Sequence, residues 1–142
     1  MVARNRSVPV DIILPHVNYR NVADAIAWLG RAFGFVEHYR YGPEPSGAQM
    51  HLGNAYIMLK TAHGASPAEL GYGTQSLTVF VDDVEGHHPR AKAAGARIRE
   101  TPHETEYGEF QYAAQDLDGH HWLFSRHARD LSPDEWGATL AG

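Results

Sequence analysis

Three histidines are the residues of this sequence whose positions best suit chemistry: His16, His51 and His121. Neutral imidazole is a good ligand for transition metals, and three imidazoles around an open coordination position would make a catalytic site. Glu109 could serve one of them as an acid/base partner or ligand, or it could be an ordinary surface carboxylate. The sequence contains no His-Glu-x-x-His, no serine-centred elbow and no phosphate-cradling glycine loop. The alternative class of function is the binding of a small molecule.

The other histidines fit structural or surface positions. Neighbours in a strand point to opposite faces, so only one of His120 and His121 can join a site. His87 and His88 fall on a predicted helix near charged residues, and we expect both to lie in solvent. The rest lie in predicted loops, at strand ends or at structural or exposed strand positions: His38, His63, His103 and His127.

Bulk composition excludes several classes of partner. Hydrophobic residues make up 43% of the 142 residues and charged ones 20%, which is typical of one compact domain or two small modules sharing a core. The formal net charge is −5 without a basic cluster, so we expect neither a nucleic-acid nor a membrane partner. The absence of cysteine excludes disulfides and thiolate metal sites. No signal peptide or membrane span is predicted, so we expect a cytoplasmic protein.

Hydrophobic periodicity and turn residues predict the same order of elements twice. The first set is a strand, a helix and three strands, at residues 10–19, 22–33, 35–41, 48–52 and 55–61. The second set repeats that order at residues 76–81, 84–94, 97–102, 109–116 and 120–126. Asn21 and Asp83 are the predicted helix caps and occupy corresponding places in the two sets. The pattern indicates two β-α-β-β-β modules.

The predicted boundaries follow from this repeat. Residues 1–8 form a loose tail, and a Gly-, Ala- and Ser-rich linker joins the modules. Ser132 is the predicted cap of a short C-terminal helix. The divisions are residues 9–62 for the first module, 63–74 for the linker, 75–127 for the second module and 128–142 for the C-terminal helix and tail.

Two turns set the register of the closing hairpins. Gly53-Asn54 suits a two-residue turn, and the turn ending at Gly119 suits a type I turn closed by a glycine bulge. The predicted pairs are His51 with Tyr56, Gln49 with Met58, Asp116 with His120 and Ala113 with Leu123. Trp122 and Phe124 then point toward a helix. If Gly119 has positive φ, Gly119→Val should cost on the order of 1–3 kcal/mol.

The second hairpin ends in Asp-x-Asp-Gly-His-x-Trp-x-Phe at residues 116–124. Together with the repeated module, this motif resembles the vicinal oxygen chelate superfamily of glyoxalases, bleomycin-resistance proteins and ring-cleaving dioxygenases, over residues 9–136. Residues 19–29, 55–59 and 129–136 are similar to its PhnB-like or bleomycin-resistance-like branch. The resemblance implies an α+β fold in which two βαβββ modules form curved mixed sheets around a shared cavity. It also implies a homodimer.

Metal-dependent members of that superfamily carry histidine, glutamine or glutamate at four strand positions. The resemblance places Leu14, Met58, Ser76 and Leu123 at those positions here. Two alkyl groups, a thioether and a neutral hydroxyl are poor ligands for a divalent cation. We therefore expect no bound metal and no cofactor.

The registers predict which side chains line the cavity. The set combines aromatic, thioether and hydrogen-bonding groups: His16, Asn18, Gln49, His51, Tyr56, Met58, Lys60, Ser76, Thr78, Phe80, Glu109, Gln111, Ala113, His121, Leu123 and Ser125. They suit a pocket for a small molecule. The alternative is that these side chains fill the cavity as part of the core, and that their polar groups form hydrogen bonds with backbone or water.

Three functions remain open from the sequence. The leading hypothesis is a non-enzymatic protein of antibiotic-resistance type that sequesters a small aromatic molecule, with His16, Asn18, Gln49 and Lys60 orienting it. The second is a metal-dependent lyase, isomerase or dioxygenase that uses a displaced site of histidines and Glu109. The third is a regulatory or stress protein with a vestigial cavity. One chain or two could build each cavity.

Overall fold

Two four-stranded sheets form the frame of the molecule, with strand orders β1-β4-β3-β2 and β5-β8-β7-β6. The structure, a computed structural model, describes residues 13–142. The first module contains β1 (His16–Tyr19), α1 (Val22–Phe33), β2 (Val36–Tyr41), β3 (Gly47–Leu52) and β4 (Ala55–Thr61). A short helix α2 (Pro67–Leu70) follows. The second module contains β5 (Ser76–Phe80), α3 (Val84–Ala93), β6 (Arg97–Glu104), β7 (Glu109–Gln115) and β8 (His121–His127), before a 3₁₀ helix at Pro133–Trp136. The predicted α+β fold is confirmed.

The first strand is shorter than predicted. The expected tail at 1–8 and the beginning of the strand expected at 10–19 lie outside the described residues, and regular strand begins at His16. Pro15 has no amide hydrogen, so its contribution to the sheet is limited to its carbonyl, which accepts from the Met58 amide at 2.8 Å. Leu14 consequently precedes the strand on which the sequence placed it.

Local signals set the helices as predicted. The Asn21 side chain accepts from the Asp24 amide at 2.9 Å, and Gly34, with φ +86°, ends α1. Asp83 caps α3 by accepting from the Gly86 amide. None of the helices in the described part of the chain is long and apolar enough to cross a membrane.

Both hairpin registers are confirmed. His51 pairs with Tyr56 and Gln49 with Met58 in the first sheet. In the second sheet Ala113 pairs with Leu123, and the Asp116 amide donates to the His120 carbonyl at 3.0 Å. Gly119 has φ +86°, as the bulged turn requires. The strand alternation buries Trp122 and Phe124 against Phe33 of α1, with ring centroids 5.6 and 4.7 Å away. The aromatic core therefore lies between the two modules.

The segment predicted as a plain linker contains α2. Ser66 and Glu69 form a reciprocal capping box around it, and the Ala68 amide donates to the Asp118 carbonyl at 3.0 Å. The Ser-Pro-Ala-Glu sequence at 66–69 carried the signal that the composition of the linker obscured. At the C-terminus the 3₁₀ helix forms where a helix was predicted, but Ser132 makes no side-chain cap.

His87 is not solvated as predicted but joins the two modules. One ring nitrogen contacts the Phe33 carbonyl at 2.9 Å and the other contacts the Tyr112 hydroxyl. Its ring lies 4.2 Å from that of Phe124. His88 is also partly buried, since its ring packs edge-on against Tyr112 and its Nε2 has no contact with solvent. Helical periodicity alone could not show that Phe33 of the first module would pack against this side of α3.

The position of His87 predicts a pH dependence of stability. Burial lowers its pKa from the ordinary 6.5, so the native state binds fewer protons than the unfolded state in this range. Its contribution is complete above about pH 6.5 and is lost as the pH falls toward the lowered pKa. Urea unfolding between neutral and mildly acidic pH should therefore show a steeper loss in wild type than in His87→Gln. The exposed His103→Gln variant is the control, and equal slopes in all three proteins would contradict the assignment.

Candidate functional site

The candidate site begins on the face of the first sheet that points away from α1. Strand alternation buries Val17 and Tyr19 under the helix and turns His16 and Asn18 to the opposite face. His16 pairs with Met58 and Asn18 with Lys60 across the parallel β1–β4 ladder. The register thus brings all the predicted residues of this module onto one face: His16, Asn18, Gln49, His51, Tyr56, Met58 and Lys60.

Four rings gather on this face and form what we call the aromatic platform: His38, Tyr39, His51 and Tyr56. His51 and Tyr56 stack with ring centroids 5.2 Å apart and an interplanar angle of 28°. His38 meets Tyr56 edge-on at 5.8 Å and lies 5.1 Å from Tyr39. Stacked and edge-on rings of this kind offer flat surfaces for a further ring.

The sequence missed two platform residues, His38 and Tyr39, which are neighbours on β2. His38 Nδ1 lies 2.6 Å from the Gln49 side-chain oxygen. The β2–β3 register shifts between Glu37 and Tyr39, which places an irregularity at His38 itself. A simple two-residue alternation cannot foresee such a bulge, so the sequence could not assign this side chain to a face.

Two buried side chains, Gln49 and Met58, form the floor of the site beside the platform. Gln49 is fully buried, and its Nε2 lies 3.5 Å from the Met58 sulfur. The Tyr39 hydroxyl reaches the same sulfur at 3.9 Å. The thioether and the amide therefore contact each other and the rings, while Lys60 stays exposed at the margin. This arrangement combines ring stacking, a polarizable wall and a peripheral positive charge.

The second sheet carries the remaining predicted residues on its corresponding face. Phe80 is 70% exposed although it belongs to a sheet, and its cross-strand partner Ser125 is fully buried. Ser125 Oγ and Glu109 Oε2 are buried without a hydrogen-bond partner among the described residues. Gln111 accepts from the Tyr107 hydroxyl at 3.2 Å. This face therefore exposes the Phe80 ring and, beside it on β5, Thr78, while the two unpaired polar atoms stay buried.

The displaced metal site does not assemble within the chain. Glu109 pairs with His127, six residues along β8 from His121, and this separation is roughly 20 Å at about 3.3 Å per residue. His121 Nε2 instead lies 2.9 Å from the Gln115 side-chain nitrogen, and His51 Nδ1 lies 3.0 Å from the Gly53 carbonyl. Across residues 13–142, no three histidine, aspartate or glutamate side chains are grouped to hold a metal ion.

Among the cavities of the described residues, two border several of the predicted site residues. One of about 260 Å³ lies between β1 and the linker, with His16, Asn18, His63 and His120 among its lining. His120 Nε2 lies 2.7 Å from the Asn18 carbonyl, and this contact joins the second module to β1 at the edge of the cavity. The other cavity, of about 550 Å³, lies on the face of the second sheet. Its lining includes Ser76, Ala113, His121 and Leu123.

Comparisons with known proteins agree with this architecture. Among solved structures, TioX from Micromonospora sp. ML1 shares 28% sequence identity and a TM-score of 0.69, covering 86% of this chain and 100% of TioX. A glyoxalase/bleomycin resistance protein/dioxygenase from Nocardioides shares the fold, with a TM-score of 0.68 at 11% identity over 99% of this chain and 93% of that one. The uncharacterized protein Mb0911c from Mycobacterium bovis is 27% identical over 138 residues, covering 89% of this chain and 90% of its own.

A sequence model of one superfamily matches residues 12–124, which is most of the chain and includes both sheets up to the middle of β8. The same stretch contains the repeated module, the two confirmed hairpins and the aromatic platform. The chain belongs to the Glyoxalase/Bleomycin resistance protein/Dioxygenase superfamily.

Proposed function

We propose that this protein binds and sequesters a small flat aromatic molecule on the aromatic platform of its first module. The observation that carries the proposal is the stacked His51–Tyr56 pair, which is braced edge-on by His38. Each ring–ring contact with a ligand contributes about 0.5–1.5 kcal/mol beyond the area it buries. An antibiotic-resistance role by sequestration is the specific form of this proposal.

The surroundings of the platform support binding of a neutral or weakly polar ring system. Gln49 and Met58 already contact each other, so the floor presents little unsatisfied polarity to a ligand. His16, Asn18 and Lys60 surround the floor at exposed positions, where they can orient polar substituents. Binding would come from stacking and water exclusion, and these edge groups would select among ligands.

Loss of one platform ring should weaken binding selectively. We expect Tyr56→Ala to reduce the affinity for a planar aromatic compound such as an acridine by about tenfold, because a stacking surface is removed. Calorimetric titration measures the effect, and Phe80→Ala tests whether the second sheet contributes a ring. Tyr72→Ala, which removes an exposed tyrosine on the linker, is the matched control. Equal losses in Tyr56→Ala and Tyr72→Ala would refute the assignment to the platform.

Elemental analysis of the purified protein distinguishes a sequestering protein from a metal-dependent enzyme. We expect no stoichiometric zinc, nickel, iron or manganese in protein purified without chelator, since the superfamily positions hold Leu14, Met58, Ser76 and Leu123. About one metal per chain, lost in both His16→Ala and His121→Ala, would overturn the binding proposal.

We further propose that the chain forms a homodimer. Phe80 is 70% exposed and Val36, on the edge strand β2, is 54% exposed, so apolar surface and free strand edges remain uncovered. A second copy is the partner that would cover them. Sedimentation equilibrium at micromolar concentration should show a dimer, and a monomer throughout the range would contradict this proposal.

A further inference from the structure

Two arginines on the edge strand of the second sheet share one cavity. Arg97 and Arg99 lie on β6, and both line a cavity of about 470 Å³ together with Gln115 and His121. Arg97 pairs with Gln115 and Gln115 with His121, so these side chains belong to one row across three strands. Helix α2, through Pro67 and Ala68, and the linker residues 71–73 complete the lining.

These arginines differ from four of the six other arginines between residues 13 and 142. Arg20, Arg40, Arg126 and Arg129 each lie within 4.0 Å of a carboxylate oxygen. By contrast, Arg97 and Arg99 make no ion pair or side-chain hydrogen bond with any residue from 13 to 142. Two uncompensated guanidinium groups beside one cavity are notable because the chain carries a formal net charge of −5.

Neither carboxylate near the cavity forms an ion pair with these arginines. Asp116 lines it, but its two oxygens already accept from the Tyr19 hydroxyl, the Trp122 indole and the amides of the turn. Glu100 borders the adjoining 550 Å³ cavity and lies 3.8 Å from His103 Nε2. The guanidinium groups are therefore free to hydrogen-bond an external group, and their two positive charges exceed the single negative charge of Asp116 in the lining.

His121 adds a donor to the same cavity. Because the Gln115 amide nitrogen can only donate, His121 Nε2 accepts and Nδ1 carries a hydrogen. A guanidinium presents a planar set of N–H groups that fits two oxygens of one anion. Two such groups, an imidazole and an amide provide the donors expected of a site for a small oxyanion.

We propose that this cavity is an anion subsite that takes a phosphate or carboxylate group of a small molecule, with Arg97 and Arg99 as its charged anchors. The subsite lies in the second module and uses no residue of the aromatic platform. It therefore stands independently of the proposed aromatic ligand. A ligand that carries both an aromatic ring and an anionic group would have a separate recognition element for each.

Titration with inorganic phosphate, and separately with benzoate, tests the subsite at constant ionic strength. We expect saturable millimolar binding that shifts the NMR signals of the His121 ring. Arg97→Gln and Arg99→Gln should each weaken binding by about tenfold, the loss expected for a charge-assisted hydrogen bond. Saturation by phosphate alone or by benzoate alone supports the subsite and identifies the chemistry that it takes.

Two control variants distinguish specific anion binding in this cavity from nonspecific electrostatic attraction of anions to the protein. Arg31→Gln removes the same charge from an exposed position on α1 and should leave binding unchanged. Tyr56→Ala should also leave phosphate binding unchanged, so failure of the aromatic proposal would not imitate failure of this one. Absence of saturation by both anions, or equal weakening in Arg31→Gln, would overturn the proposal.

Discussion

Replacing Asp116 with alanine should lower the free energy of unfolding by about 3–5 kcal/mol, because each buried donor left unsatisfied costs roughly 1–3 kcal/mol. Asp116 is only 7% exposed. One carboxylate oxygen accepts from the Tyr19 hydroxyl at 2.6 Å and the Trp122 indole at 3.0 Å. The other accepts from the amides of Asp118 and His120, both at 3.0 Å. A single side chain thus holds the closing turn of the second module against the first strand.

The chemistry of Tyr19 reinforces this expectation. Complete burial, and then the charge of Asp116, raise its pKa well above the ordinary 10.0, so the hydroxyl remains a donor at working pH. Asp116→Asn keeps the shape but turns an amide NH2 group, itself a donor, toward one pair of donors, and it should also destabilise strongly. Tyr19→Phe should remove less, since it deletes one donor and leaves the others satisfied.

Urea unfolding of these variants provides the measurement. Asp82→Asn, at an exposed position before α3, is the control for the loss of one carboxylate charge. We expect it to change stability by less than about 0.5 kcal/mol. If Asp116→Ala were no more destabilising than Asp82→Asn, the network would not hold the modules together.

Gly119→Val should destabilise the protein by at least about 3 kcal/mol, more than its backbone conformation alone accounts for. Its φ of +86° strains any residue with a side chain. A Cβ there would also lie 2.5 Å from the Ala68 amide nitrogen, and that amide donates to the Asp118 carbonyl at 3.0 Å. The substitution therefore strains the turn and forces α2 away from it.

The other hairpin provides a matched comparison. Gly53 has φ +57°, but a Cβ there would meet nothing within 4 Å. Gly53→Ala should then show the conformational cost alone, of the order of 1 kcal/mol. Gly119→Ala carries the same Cβ into α2 and should be clearly more destabilising. Equal melting temperatures for the two alanine variants would show that α2 can move away from the new Cβ without loss of stability.

At the closing turn of the second module, local sequence determined the backbone conformation but not the long-range contact. Turn chemistry at Gly119 predicted the positive φ and the pairing of the flanking strands, since both depend on residues a few positions apart. The contact with Ala68 joins segments about fifty residues apart, and no local pattern encodes it. The larger effect predicted for Gly119→Val comes entirely from that distant contact.

The candidate site also combines features set by local sequence with features set only by tertiary packing. The sequence by itself determined the two modules, their hairpin registers and the face shared by Gln49, Met58 and Tyr56, because strand alternation and turn length are local properties. Only the tertiary structure placed His38 on the platform, through a bulge, and separated Glu109 from His121 along β8. Bulges and the relative placement of distant strands depend on the packing of the whole sheet. Alternation along a single strand cannot specify them.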